Sequence, residues 1–356
     1  MWRCCFGKYS ALDQDLTSVP HDEISNQEDV IDLSHNNIQA LDAEEFSNYS
    51  SLTAVHMNYN KLHTIHRTAF YNTSLKKIYL KDNKLQEFPD LVVVAGTLLK
   101  VDVADNNIPY IPNQLLSSFK KVWLLILDRN PLSEWPDFTG FNSVSIVTVK
   151  NISTLPNIVT PSVCINVNWL KFRGNLSDVP TISCPAAGRT LKGLSLDGSL
   201  LQHNSSFSNL KDSGIGFLHL EQNQMTEFPD LPMTLRQSIW SYLQLSEQKI
   251  TKIPTSRLSG FKMNRLFLNE NNLTDFPCEL LNISKELVLS GMKTLSKKEE
   301  LWRKCLCGRD RILTEEIILD NSMDTVTEFP NIATTFCRST KELTITMLEV
   351  RIYSLV

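Results

Sequence analysis

The chain has 356 residues, is 42% hydrophobic, and carries 35 basic against 39 acidic residues for a net charge of −4. That is enough apolar material for a large core, and the slightly acidic balance gives no electrostatic case for a nucleic-acid partner. The longest apolar run, about Leu91 to Leu99, falls far short of the ~20 residues needed to cross a bilayer.

Met1-Trp2-Arg3-Cys4-Cys5 leads into Gly7 and Lys8 with no apolar stretch, so no signal peptide is visible. From Val30 a phrase begins, Val30-Ile31-Asp32-Leu33-Ser34-His35-Asn36-Asn37-Ile38, that returns with changed letters roughly every 24 residues. Its form is apolar-x-x-apolar-x-apolar-x-x-Asn-x-apolar. The apolar phases are Leu52, Val55, Met57, then Leu75, Ile78, Leu80, then Leu98, Val101, Val103, with later copies Ile215, Leu218, Leu220 and Met263, Leu266, Leu268. Residues two apart leave the same face of a strand, so each copy predicts one short strand. The strands centre on Ile31-Leu33, Val55-Met57, Ile78-Leu80, Val101-Val103, Leu125-Leu127, Leu218-Leu220, Leu243-Leu245 and Leu266-Leu268.

One copy cannot bury its own apolar side, but stacked copies make a parallel sheet over a continuous core. An Asn column follows the strands at Asn36, Asn60, Asn83, Asn106, Asn130, Asn175, Asn223 and Asn271, with Ser199, Gln248 and Met292 in the same phase. There an amide supplies the donors and acceptor that a buried bend lacks. Apolar-Pro pairs recur on the return, at Phe88-Pro89, Ile111-Pro112, Trp135-Pro136, Val179-Pro180, Phe228-Pro229, Ile253-Pro254 and Phe276-Pro277. Proline disfavours helix for the residue before it, so the return should be extended or turn-like and helix-poor. Repeats six and seven are irregular: Asn151 comes one residue early, as does Leu176.

This pattern resembles the leucine-rich repeat family, in its typical 24-residue class, over about residues 28 to 292 and more weakly to Val356. The resemblance implies an α/β solenoid: a horseshoe with a concave parallel β-sheet and a mostly irregular convex side. It also implies three segments. Residues 1–27 form an incomplete N-terminal cap. Residues 28–300 form a solenoid of about 11–12 repeats, and residues 301–356 are cysteine-containing degenerate repeats with a partial C-terminal cap. Leu16-Thr17-Ser18-Val19-Pro20 is similar to the extracellular N-terminal cap, although Asp13, Gln14 and Asp15 stand where its cysteine would be. Trp302, Cys305, Cys307 and Cys337 are similar in content to the C-terminal cap, which implies a disulfide from Cys337 to Cys305 or Cys307.

Cys164 and Cys184 lie about one repeat apart and can bond if their side chains face each other; otherwise Cys164, like Cys278, is a small buried apolar residue. Seven N-x-S/T sequons occur, and Asn48, Asn72, Asn204, Asn272 and Asn282 are the glycosylation candidates. Asn151 carries a sequon as well, whereas Asn175, a ladder residue, should be too buried to be modified. Cysteines and sequons together place the chain in an extracellular, oxidising setting, as a secreted protein or an anchored ectodomain. The missing signal and anchor then imply a chain incomplete at one or both ends. A cytosolic scaffold that docks signalling proteins is the alternative.

No G-x-S-x-G, P-loop or H-E-x-x-H motif is present, so neither an enzyme nor a cofactor or metal site is expected. His63 and His66 read as solvated, and Asp102, Asp105 and Asp128 as a solvated acidic spot. Lys76, Lys77, Tyr79, Lys81 and Lys100 read as a solvated basic face. The solvent face of the sheet carries large apolar side chains where polar ones are usual. The expected partner surface, for a protein or glycan, comprises Trp123, Ile126, Trp169, Lys171, Arg173, Phe217, His219, Tyr242, Gln244 and Phe267. A shifted register in repeats six and seven would instead turn Trp169 or Leu124 inward.

Overall fold

The computed structural model describes residues 7–141, 144–152, 156, 158–173, 176, 178–185, 191–236, 240–291, 305, 314, 316–320 and 344–348. The chain divides into two compact units, Met1–Phe172 with Cys184–Leu191, and Arg173–Ser183 with Lys192–Val356. In the first unit the strands of the main sheet are β1 (Lys8–Ser10), β2 (Val30–Asp32), β3 (Ala54–His56), β4 (Lys77–Tyr79), β5 (Lys100–Asp102), β6 (Leu124–Ile126), β7 (Val144–Thr148) and β8 (Val167–Arg173). Each pairs parallel with the next, at Tyr9↔Ile31, Ile31↔Val55, Val55↔Ile78, Ile78↔Val101, Val101↔Leu125, Leu125↔Val147 and Val147↔Leu170. The second unit holds β9 (Gly193–Asp197), β10 (Phe217–His219), β11 (Trp240–Gln244), β12 (Met263–Phe267), β13 (Ser284–Val288), β14 (Glu316–Asp320) and β15 (Thr344–Leu348), again parallel and in sequence order.

The predicted strands are present, most starting one residue before the expected pair and those at Leu243 and Leu266 starting three residues before it. Their inward residues Ile31, Val55, Ile78, Val101, Leu125, Leu170, Leu194, Leu218, Leu243 and Leu266 have no solvent exposure. Each such side chain contributes about 1.5–3 kcal/mol through burial. Behind them the return arcs add aromatic rings, with Phe46 stacked on Phe70 at 5.4 Å and Phe119 set edge-on between Phe88 and Phe141. Helix is scarce, as the prolines require. The longest helices among the described residues are the six-residue Asn113–Ser118 and Pro161–Asn166. The prolines also start turns: Pro112, Pro254 and Pro277 are the N-cap residues of Asn113–Ser118, Thr255–Arg257 and Cys278–Asn282.

Among the described residues the bend after most strands uses a two-residue device. The first residue takes a left-handed conformation, as at His35, Tyr59, Asp82, Asp105, Arg129, Gln222, Glu247 and Glu270, all with φ between 52° and 59°. For a residue with a Cβ this costs about 1–2 kcal/mol. The second residue is the ladder Asn, which offsets that cost. Asn106 donates to the carbonyls of Leu80 at 2.9 Å and Val103 at 3.0 Å, and its Oδ1 accepts the Leu85 N–H at 3.0 Å. Asn60, Asn83, Asn130, Asn223 and Asn271 repeat the pattern. Gln248 substitutes for it, donating to the Leu220 carbonyl and accepting the Met225 N–H at 3.2 Å.

Asn151 proves to hold the left-handed position, with φ 55°, so Ile152 falls on the ladder phase. Asn175 and Met292 lie outside the described residues. Residues 7–27 do more than precede the repeats: β1 extends the sheet by one strand, and the Gln14 and Leu16 N–H groups both donate to Asn36 Oδ1.

Replacing Asn106 by Ala strands two carbonyls and one N–H in the core, each worth about 1–3 kcal/mol when unsatisfied. Asn106→Ala should therefore lower the unfolding free energy by about 2 kcal/mol or more in urea titrations. Asn107→Ala, at an exposed neighbouring position, should change it by less than about 0.5 kcal/mol. Equal effects of the two substitutions would remove the amide from its proposed role.

Candidate functional site

Strand register sorts the solvent-facing residues into columns. In the first unit one column runs Lys77, Lys100, Leu124, Ile146, Trp169, and the other Asp32, His56, Tyr79, Asp102, Ile126, Thr148, Lys171. Trp169 pairs with Ile146 while its neighbour Leu170 is fully buried. The register is therefore not shifted, and the Trp169 side chain lies on the outer face, half-buried. Trp123, one residue before β6, is 44% exposed. Leu124, Ile126 and Ile146 are half-buried between these two indoles, and Lys171 sits beside Trp169. The Arg173 side chain lies outside the described residues.

Further toward the N-terminus this face is polar and more ordered than its sequence suggests. His35 stacks on Tyr59, and His56 on Tyr79, each pair with ring centroids 4.3 Å apart. Lys81 donates to the Tyr59 hydroxyl at 3.0 Å, and the Lys100 ammonium lies 4.5 Å from the Tyr79 ring centre. Sequence reasoning missed these stacks. The available signal was that each His and its Tyr occupy the same phase in successive repeats.

The aspartates are each committed locally. Asp105 takes both Nε and Nη2 of Arg129, with Lys81 at 4.0 Å. Asp102 and Asp128 accept the N–H groups of Ala104 at 3.1 Å and Lys150 at 2.8 Å. Burial pushes both of these carboxyls above the ordinary carboxylate value, against the effect of those bonds. Among the described residues no three His, Cys, Asp or Glu side chains converge as a metal site.

In the second unit the outer face is aromatic and acidic. Phe217 pairs with Tyr242 and Tyr242 with Arg265, while His219 pairs with Gln244 and Gln244 with Phe267. The Tyr242 ring meets Phe217 edge-on at 4.8 Å, His219 at 5.0 Å and Phe267 at 5.9 Å. Its hydroxyl is 2.6 Å from His219 Nε2. Glu221 accepts the Gln244 amide, and Asp197 accepts the Glu221 N–H at 2.9 Å. Burial raises the Glu221 carboxyl above its ordinary value, and Asp197 and Glu247 push the same way. The Tyr242 phenol is raised by burial and then by Asp197 and Glu221. All four rings, with Gln244, are half-buried.

Two disulfides are formed among the described residues. Cys164 in the helix Pro161–Asn166 is bonded to Cys184, with Cα atoms 5.4 Å apart. Cys278 is bonded to Cys305 across 4.9 Å. The second corrects the expectation that Cys337 pairs with Cys305, and the reading of Cys278 as a plain apolar residue. Pro277 starts the turn that carries Cys278 inward, where the Cys305 side chain, fully buried, meets it. Cys307 and Cys337 lie outside the described residues. Of the sequon residues, Asn48, Asn72, Asn204 and Asn272 are exposed, whereas Asn282 is half-buried with Ser284 of its sequon fully buried.

A leucine-rich repeat family profile matches residues 29–85. Among curated proteins the chain is similar to a transforming growth factor beta activator of Danio rerio, at 25% identity over 75% of this chain and 40% of that protein. It is also similar to osteomodulin of Bos taurus, at 22% identity over 66% and 45%. The chain thus spans less than half the length of these relatives. Among solved structures it resembles a leucine-rich repeat protein of Leptospira interrogans (TM-score 0.52, 20% identity, 82% of this chain and 80% of that one). An internalin of Listeria monocytogenes matches at TM-score 0.52 and 16% identity, over 83% and 85%.

Two measurements check this geometry. Non-reducing peptide mapping of native protein should recover Cys164–Cys184 and Cys278–Cys305; a Cys305–Cys337 peptide in place of the latter would contradict the arrangement. Removing the charge in Glu221→Gln should favour the phenolate and lower the Tyr242 titration midpoint, read by NMR at the ring carbon bearing the hydroxyl. An unmoved midpoint would show that the carboxylate does not act on that ring.

Proposed function

We propose that this leucine-rich repeat protein is a non-enzymatic recognition module that binds a macromolecular partner through the solvent face of its parallel sheet. The observation that supports this reading is the segregation of side chains by the strands. Inward positions are filled by fully buried aliphatic residues, yet outward positions still carry Trp123, Ile126 and Trp169 in one unit and Phe217, Tyr242 and Phe267 in the other. The fold has no need of large apolar side chains there. Solvent-facing aromatic and apolar clusters with flanking polar groups, here Lys171, His219 and Gln244, are typical of contact surfaces.

The setting we infer is extracellular. Two disulfides support it, because such bonds persist in oxidising compartments. The exposed amides of Asn48, Asn72, Asn204 and Asn272 are proposed as glycan acceptors under the same reading. Among the described residues no helix is long and apolar enough to cross a membrane.

The test uses a partner captured by crosslinking to the native protein and then titrated in purified form. Aromatic anchors buried at an interface commonly contribute ~2 kcal/mol or more. Trp169→Ala and Tyr242→Ala, each made singly, should therefore weaken binding by more than about tenfold with little change in melting temperature. Truncating a core aromatic instead costs about 3–5 kcal/mol of stability. Unchanged affinity together with a large fall in melting temperature would show that these rings serve packing alone.

A further inference from the structure

Five lysines gather at the strand entrances of three successive repeats in the first unit. Lys77 and Lys100 stand directly opposite each other on β4 and β5. Their side chains therefore leave the backbone about 4.8 Å apart, and like charges in that relation repel. Lys76 precedes Lys77, and Lys120 and Lys121 precede β6. All but Lys100 are exposed, and none of the five has an ion-pair partner among the described residues. A second feature adjoins the row: the His56–Tyr79 stack, tilted by only 22°, with the Lys100 ammonium over Tyr79.

The local field agrees with that geometry. His56 is held below the ordinary imidazole value by burial first, and further by Lys8, Lys100 and Lys77. Asp32 opposes them, but it is already bonded to Lys8 at 3.3 Å and to the Ser34 N–H. The other acid nearby, Asp102, is half-buried and tied to the Ala104 N–H.

We propose that this row binds a sulfated polysaccharide, with sulfates on Lys76, Lys77 and Lys100 and the sugar chain running along the outer edge of the His56–Tyr79 stack. Lysine is a point charge with rotatable donors, suited to an ester sulfate with three equivalent oxygens. Planar two-point recognition of a carboxylate favours the arginine fork, and Arg129, the arginine of this region of the face, is committed to Asp105. A linear polyanion lying across the strands meets one further lysine-bearing edge at each repeat from β4 to β6. An acidic peptide finds no free arginine fork in this row for two-point pairing of its carboxylates.

The probes are a sulfated dextran oligosaccharide, unsulfated dextran of equal length, and an oligoglutamate of equal charge, each titrated calorimetrically into the full chain. Saturable binding is expected for the sulfated sugar alone, weakening as salt rises. Lys77→Ala/Lys100→Ala should reduce it by about tenfold or more at an unchanged melting temperature. Because bound sulfates offset the lysine field, the His56 ring-proton titration should shift upward on saturation. In the double variant it should start higher and move less. Trp169→Ala and Tyr242→Ala should leave dextran sulfate binding intact, which separates this site from the partner surface proposed above. Equal binding of oligoglutamate, equal binding of unsulfated dextran, or a His56 titration unmoved by the sulfated sugar would each overturn the assignment.

Discussion

The structure depends on how a buried turn satisfies its backbone. After every strand the chain must reverse inside the protein, where an unpaired N–H or carbonyl costs about as much as several methylene groups contribute. One amide side chain meets the need. In Asn60, Asn83, Asn106, Asn130, Asn223 and Asn271 it donates to its own strand and to the preceding one, and accepts an N–H from the preceding turn. The residue before it then has to be left-handed. Strand spacing and the repeat period both follow from that link, because it connects each copy to the one before.

Where the link weakens, another device is present. The ladder phase falls on Ile152 in one repeat, and on Ser199 in another, where the buried hydroxyl has no hydrogen-bond partner among the described residues. Between those positions stands the Cys164–Cys184 bond, closing a separation of 20 residues. A loop of that size corresponds to ~3 kcal/mol of chain entropy. Gln248 shows the opposite case, a longer amide that keeps the ladder intact. The Cys164–Cys184 bond thus serves the structure where the amide ladder is interrupted.

With the inner face committed to aliphatic packing, chemical variety is left to the outer face. There the two units differ. The first carries lysines, His–Tyr stacks and an apolar stretch with two indoles; the second carries an edge-to-face aromatic cluster beside Asp197, Glu221 and Glu247. These groups lie on the face opposite the fully buried aliphatic side chains. Both proposed contacts rest on that separation of packing from surface.

By itself, the sequence determined the period, the strand phases, the inward residues and the helix-poor return. A strand alternates strictly, a buried bend needs an amide at one phase, and proline disfavours helix for the residue before it. Those rules also located Trp169, Tyr242 and Phe267 on the outer face. What only the tertiary structure decided concerns neighbours rather than phases. That Cys278 meets Cys305, that Asn151 is the left-handed residue, and that Arg129 claims Asp105 all depend on how one return lies over the next. The same holds for His56 on Tyr79 and for the lysine field around it. Periodicity states which way a side chain points. Its charge state and its contacts are set by distances across repeats, which residue order does not contain.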